Sequence, residues 1–160
     1  MRDLSPCDLD WIEHAPTRIE LRVSFAAPPP RVFAALADAA GWTRWFPTMT
    51  HAQWLDGATG GLGHEREVAL RALGRFRERF IAWEPPHRFA FTITATTSPM
   101  IHQLGEDYRL EPEGAGTQLR WTMGSSPRGV GKLATPLLRP LLRSILGRAA
   151  RNLDRQLTAP

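Results

Sequence analysis

Apolar and polar residues alternate from Arg18 to Phe25, with Ile19, Leu21, Val23 and Phe25 set against Arg18, Glu20, Arg22 and Ser24. A period of two predicts a strand with one buried face. Ala27-Pro28-Pro29-Pro30 ends it, and proline suits the first turn of the short helix marked by Val32, Phe33, Leu36 and Ala37. Gly41 breaks that helix. Trp42, Trp45 and Phe46 continue a second helical piece up to Pro47. Thr50 to Leu55 reads as a short strand, Asp56 to Gly63 as a glycine-rich turn, and His64 to Arg71 as another alternating strand.

The strands from His64 to Met123 can be registered from their own patterns. A three-residue turn, Ala72-Leu73-Gly74, sets Leu70 opposite Phe76, Val68 opposite Glu78 and Arg66 opposite Phe80. On the other face it pairs Glu67 with Arg79 and Ala69 with Arg77. The turn Glu84-Pro85-Pro86-His87 aligns Phe80 with Phe91, Glu78 with Ile93 and Ala82 with Phe89. A turn around Ser98-Pro99 aligns Ile93 with Leu104 and Phe91 with Glu106. A Gly-rich loop from Glu111 to Gln118 aligns Leu110 with Leu119, Tyr108 with Trp121 and Glu106 with Met123. All these pairings agree on one inner face.

That face carries charge. One row reads Arg66, Phe80, Phe91, Glu106, Met123; the next reads Val68, Glu78, Ile93, Leu104; a third reads His64, Ala82, Phe89, Tyr108, Trp121. Arg66, Glu78 and Glu106 are costly in a dry core unless each is paired. Either they pair, or the face borders a cavity holding water or ligand. Binding sites are mostly apolar and aromatic with a few polar groups, which is the composition of this face.

The partner of the sheet is the C-terminal stretch from Gly129 to Thr158. Leu133, Leu137, Leu138, Leu141, Leu142, Ile145, Leu146, Ala149, Leu153 and Leu157 recur at helical spacing and predict a buried apolar face. Pro136 and Pro140 predict an irregular or kinked first part, with a regular helix from about Pro140.

Charge changes the picture only here. The net charge is +4, yet Arg128 to Arg155 holds seven basic residues against Asp154 alone, a local balance of +6. Such a helix can bind anionic membranes or nucleic acid, although a solvated outer face is the commoner explanation. Basic and aromatic residues are not interleaved on a sheet, which argues against nucleic acid.

Length and composition fit one domain of 160 residues, with 42% apolar residues. Residues 1–17 read as a polar N-terminal arm and residues 18–160 as the domain. Cys7 is the only cysteine, so an internal disulfide is ruled out and a cytoplasmic location is expected. The acidic lead lacks the apolar run of a signal peptide, and no stretch of about 18 apolar residues predicts a transmembrane span. The glycine run from Gly57 to Gly63 leads into a strand, not the helix a phosphate loop needs. Val68 stands where a zinc-protease motif starting at His64 would need histidine, and no metal or cofactor is expected.

The order of elements, together with Phe25-Ala-Ala-Pro-Pro-Pro-Arg-Val-Phe33, Trp42-Thr-Arg-Trp45-Phe-Pro47, Ile81-Ala-Trp-Glu-Pro-Pro-His-Arg-Phe89 and the run from Tyr108 to Trp121, resembles the START and birch-pollen-allergen superfamily. Within that SRPBCC superfamily it looks like the polyketide cyclase/dehydrase and lipid-transport group. The resemblance implies an α+β helix-grip fold. A seven-stranded curved antiparallel sheet would wrap a long C-terminal helix, with two short helices between its first and second strands. It implies an apolar cavity between sheet and helix, and it does not choose among binding, catalysis and regulation.

Three functions follow. The first is binding or transport of a small hydrophobic ligand, lined by Val68, Phe80, Phe91, Ile93, Leu104, Tyr108, Trp121, Met123, Leu141, Leu142 and Ile145, and oriented by Arg66, Glu78 and Glu106. The second is cyclase or aromatase chemistry, in which Arg66 would hold an oxyanion while Glu78, Glu106 or His102 moves protons. The third is peripheral membrane or protein contact through the basic C-terminal helix. No nucleophile–base pair stands out, and oligomeric state is not legible.

Overall fold

The computed structural model describes residues 1–159. The chain opens with a two-residue strand, β1 (Arg2–Asp3), and a short helix, α1 (Leu9–His14), capped where Asp8 accepts from the Trp11 N–H. The alternating segment forms β2 (Thr17–Phe25). Two helices follow, α2 (Pro29–Ala37) with proline in its first turn and α3 (Trp42–Trp45). Trp42 Nε1 donates to the Leu36 carbonyl at 2.8 Å and joins the two. The remaining strands are β3 (Met49–Trp54), β4 (Glu65–Leu70), β5 (Gly74–Glu84), β6 (Arg88–Thr96), β7 (Ile101–Glu113) and β8 (Gly116–Pro127). The chain ends in the 29-residue helix α4 (Val130–Thr158).

The main sheet is antiparallel in the order β2-β8-β7-β6-β5-β4-β3 and curls around α4, the helix-grip arrangement. Leu146, Ala149, Ala150 and Leu153 bury the C-terminal half of α4 against its concave face. An aromatic cluster fills the core beyond them, including Trp42, Trp45, Phe80, Phe89, Tyr108 and Trp121.

The β7–β8 register follows the sequence pattern, with Glu106 opposite Met123, Tyr108 opposite Trp121 and Leu110 opposite Leu119. The ladder runs on to Glu113–Gly116, so the expected loop from Glu111 shrinks to a tight turn. Phe80–Phe91, Glu78–Ile93 and Phe91–Glu106 also pair as expected.

Other expectations are corrected. Between β4 and β5 the register is shifted by two residues: Arg66 faces Glu78, Val68 faces Phe76 and Leu70 faces Gly74. The turn closes one residue earlier on β4 than expected, with Ala72 and Gly74 both at positive φ and Leu73 N–H donating to the Leu70 carbonyl. Outside, Glu67 faces Arg77 and Glu65 faces Arg79. A bulge after Phe80 pairs Ala82 with Ala90 and Trp83 with Phe89, displacing the expected Ala82–Phe89 pair. His64 precedes β4 and is exposed, so it leaves the inner row.

Past Thr92–Gly105 the β6–β7 ladder stops, and Ile93 does not pair with Leu104. The N-terminal arm takes over the vacated edge. Arg2 and Asp3 face Thr96 and Ala95, Leu4 N–H donates to the Thr94 carbonyl, and Cys7 N–H donates to Thr92 Oγ1. The arm then crosses the convex face as α1, burying Ile12 completely. Only glycine permits this approach. A Cβ on Gly105 would lie 2.6 Å from Cys7 Sγ, and one on Gly124 would lie 2.7 Å from the Ile12 carbonyl oxygen.

Helix α4 is continuous from Val130, although Pro136 and Pro140 each remove an N–H from its hydrogen-bond ladder. Its expected apolar face is not buried throughout. Leu133, Leu137 and Leu141 point to solvent, while Leu138, Leu142 and Ile145 turn inward. The N-terminal half of the helix spans a cavity, so its inward face needs fewer apolar residues than the pattern supplies.

Candidate functional site

A cavity of about 170 Å³ lies between the sheet and the N-terminal half of α4. Period-two alternation brings Val68, Glu78, Phe91, Ile93, Glu106 and Met123 to its wall from five strands. Leu104 joins them from β7, and Leu142 and Ile145 close it from α4. At the strand ends it is bounded by Leu73, Met100, Pro127 and Gly131, and exposed Arg139 stands on its rim. Its wall is overwhelmingly apolar, so the two carboxyl groups deep on the strands dominate its chemistry.

Glu106 is held firmly. Its Oε2 accepts from Tyr108 OH at 2.6 Å and from Trp121 Nε1 at 2.8 Å. Oε1 has no hydrogen-bond partner among the described residues and is the carboxyl atom left for the cavity. Burial drives the Glu106 pKa up to about 7, the two donated hydrogen bonds opposing it and the neighbouring Glu78 adding to it. The side chain is half-buried, and what it exposes faces the cavity. Burial, with Glu106 beside it, also raises the Tyr108 phenol well above its ordinary value.

Glu78 is paired. Arg66 Nε donates to its Oε2 at 2.6 Å, and both side chains are buried. Burial raises the Glu78 pKa, with the Arg66 charge and hydrogen bond opposing that rise. The Arg66 guanidinium carbon lies 4.5 Å from the ring centre of Trp42, 5.3 Å from Phe80, 5.7 Å from Phe91 and 5.9 Å from Trp54. Nη1 and Nη2 make no hydrogen bond among the described residues, so ring faces take the place of polar partners.

The structure therefore divides the residues singled out by sequence. Val68, Glu78, Phe91, Ile93, Leu104, Glu106, Met123, Leu142 and Ile145 line the cavity. Phe80, Tyr108, Trp121 and Arg66 are buried behind that wall. His102 and Leu141 are exposed and stand apart from it. Sequence reasoning left out Leu70, although its strand's alternation marked it as inward-facing, and it missed Phe46, Leu73 and Met100, which come from a helix end and turns without an alternating pattern. It also missed Ile19 of β2, although the alternation of that strand marked it as inward-facing.

A family model described as polyketide cyclase/dehydrase and lipid transport matches residues 16–158. An uncharacterised protein of Mycobacterium tuberculosis is 35% identical over 153 residues, covering 94% of this chain and 92% of that one. Solved structures share the fold, among them the two that follow. A START superfamily protein from Mycobacterium smegmatis has a TM-score of 0.72 at 14% identity, covering 88% of this chain and 96% of its own. An aromatase/cyclase from a Streptomyces species has a TM-score of 0.68 at 20% identity, covering 89% and 96%. No helix among the described residues is long and apolar enough to cross a membrane.

Proposed function

Since the chain belongs to the polyketide cyclase/dehydrase and lipid transport family, we propose that it binds a small hydrophobic ligand in the cavity between its sheet and α4. The observation that carries this reading is the apolar wall with Glu106 at depth, a partly formed polar socket in an otherwise greasy space. The volume sets the ligand's scale. Apolar protein cavities of roughly 150 Å³ take up benzene, so a body of one or two rings or a short acyl chain fits here.

Charge sets the ligand's head group. Two carboxyl groups and no inward-facing cation meet the ligand at depth, because Arg66 is spent on Glu78 and the rings. An anionic head would give up its hydration with no free cation to meet it, and above about pH 7 it would also face an ionised Glu106. A hydroxyl can donate to Glu106 Oε1, and a carbonyl can accept from it when the acid is protonated. Native mass spectrometry of freshly purified protein, followed by solvent extraction, tests for the ligand. With the emptied protein, 2-naphthol is expected to bind at least about ten-fold more tightly than 2-naphthoate, a difference of about 1.4 kcal/mol. Equal binding, or preference for the carboxylate, would overturn the head-group assignment.

A second reading rests on Glu106 alone. A carboxyl group titrating near neutrality is poised for proton transfer beside a carbonyl, the step that a cyclase needs. It ranks lower because ring closure also needs a donor for the enolate, and Tyr108 and Trp121 already spend theirs on Glu106. Turnover of a polyketide-like substrate that survives Glu106→Gln unchanged would remove it.

A further inference from the structure

On the outer side of α4, Leu133, Leu137 and Leu141 follow one another at four-residue steps and are 84%, 79% and 54% exposed. Pro136 and Pro140 are exposed between them. Helical periodicity gathers these five into one apolar strip and places Lys132, Arg139 and Arg143 together along its border. No acidic residue occurs from Arg128 to Leu153. Arg139 and Arg143 each donate one N–H to the edge carbonyls of Arg18 and Glu20, yet both remain exposed. The Glu20 carboxylate is already engaged by Arg18, Arg22 and Arg120.

Isolated exposed leucines are ordinary, but three in register beside a purely cationic border form the pattern of an interfacial helix. We propose that this face of α4 docks on the surface of an anionic lipid bilayer. The leucines enter the boundary between head groups and chains, and Lys132, Arg139 and Arg143 meet the lipid phosphates. The charge border selects a bilayer over a second copy of the chain, because self-association would bring like-charged rows together. The same turns of helix carry Gly131, Thr135 and Leu138 into the cavity wall. Docking therefore sets the rim of the cavity against the membrane, where an apolar ligand passes without crossing water.

This inference stands apart from the ligand reading, and its test separates the two. Vesicles of phosphatidylcholine, with and without about one-third phosphatidylglycerol, are sedimented with the full chain at about 50 mM and about 500 mM salt. Binding to the anionic vesicles is expected to exceed binding to the neutral ones at least about ten-fold at low salt, and to fall at high salt. Leu137→Glu and the double variant Leu133→Ser/Leu137→Ser should each lower it by about ten-fold, with unchanged circular dichroism and unchanged uptake of 2-naphthol in solution. Absence of binding at low salt, or binding untouched by either variant, would overturn the proposal. So would a dimer in sedimentation velocity that Leu137→Glu dissolves, since a second copy would then own the strip.

Discussion

Arg66 and Glu78 stand directly opposite one another on β4 and β5, with Nε and Oε2 2.6 Å apart inside a cage of four aromatic rings. A guanidinium bordering a wet pocket would be replaceable at small cost. This one is wholly buried, and removing it strands a carboxylate. Arg66→Met is expected to lower the unfolding free energy by about 3–5 kcal/mol at pH 8. Loss of Arg66 removes the influences that oppose the rise of the Glu78 pKa. The folded variant then holds a proton that the unfolded chain releases, so its deficit should shrink as pH falls toward 5. Urea unfolding at both pH values checks this, and a deficit below about 1 kcal/mol at pH 8 contradicts it.

Glu106 gives the second pH effect. Its folded pKa, raised to about 7, exceeds the ordinary carboxyl value, so the native state binds more protons than the unfolded state between about 4.5 and 7. Native stability should therefore fall as pH rises through that window and level off above it. Glu106→Gln keeps the shape and cannot ionise. Its stability relative to the parent should improve by about 2 kcal/mol from pH 5 to pH 7.5, measured by paired urea titrations. A constant difference across the range would show that Glu106 titrates normally.

The convex face offers a third. Gly124→Ala drives a methyl group to within 2.7 Å of the Ile12 backbone oxygen, where no side-chain rotation relieves it. The N-terminal arm should loosen, at a cost of about 1–3 kcal/mol. Cys7 belongs to that arm and is buried between it and the sheet, and burial raises its thiol pKa. Its reaction with a thiol reagent is expected to be slow in the parent and at least about ten-fold faster in the variant. Equal rates would mean that the arm tolerates the methyl group.

Filling the cavity gives a fourth. Leu104→Trp places a large ring where Leu104 borders the cavity, on a side chain that is only half-buried. Uptake of 2-naphthol should fall at least about ten-fold, while stability changes by less than about 1.5 kcal/mol. Undiminished uptake would place the ligand elsewhere.

Much of the sheet was legible because alternation reports which face a residue takes. It reports register less well. A two-residue slip between β4 and β5 keeps every side chain on its face, and either Arg77 or Arg79 can answer Glu67, so the pattern could not distinguish Arg66–Glu78 from Arg66–Phe80. The bulge after Phe80 left no mark, since Ala82 accepts either neighbour. The inward direction of Glu78 and Glu106 was readable from the strands, whereas the aromatic cage around Arg66 was not. It draws Trp42 from α3 and Trp54 from β3, elements that the hairpin pattern does not relate to Arg66. In α4 the leucines form two stripes, and spacing alone does not say that Leu138 and Leu142 turn inward while Leu137 and Leu141 face water. The contact of the arm with Gly105 and Gly124 joins residues that no local pattern connects.

The arm reaches further than its own ladder. Arg2 donates to the carbonyls of Ser98 and Ile101, on either side of the turn whose Ser98, Met100 and Ile101 line the mouth end of the cavity. Pairing residues that lie so far apart in sequence carries a loop-closure entropy, and ahead of α1 it is repaid by a two-residue strand, a few hydrogen bonds and the burial of Leu4 and Cys7. Under mild destabilisation this is the segment expected to let go first. Amide protons of Leu4 and Cys7 should then exchange ahead of those in β7 and β8. The β6–β7 turn would loosen in the same event, which makes the width of the doorway and the grip of the first residues a single mechanical coordinate.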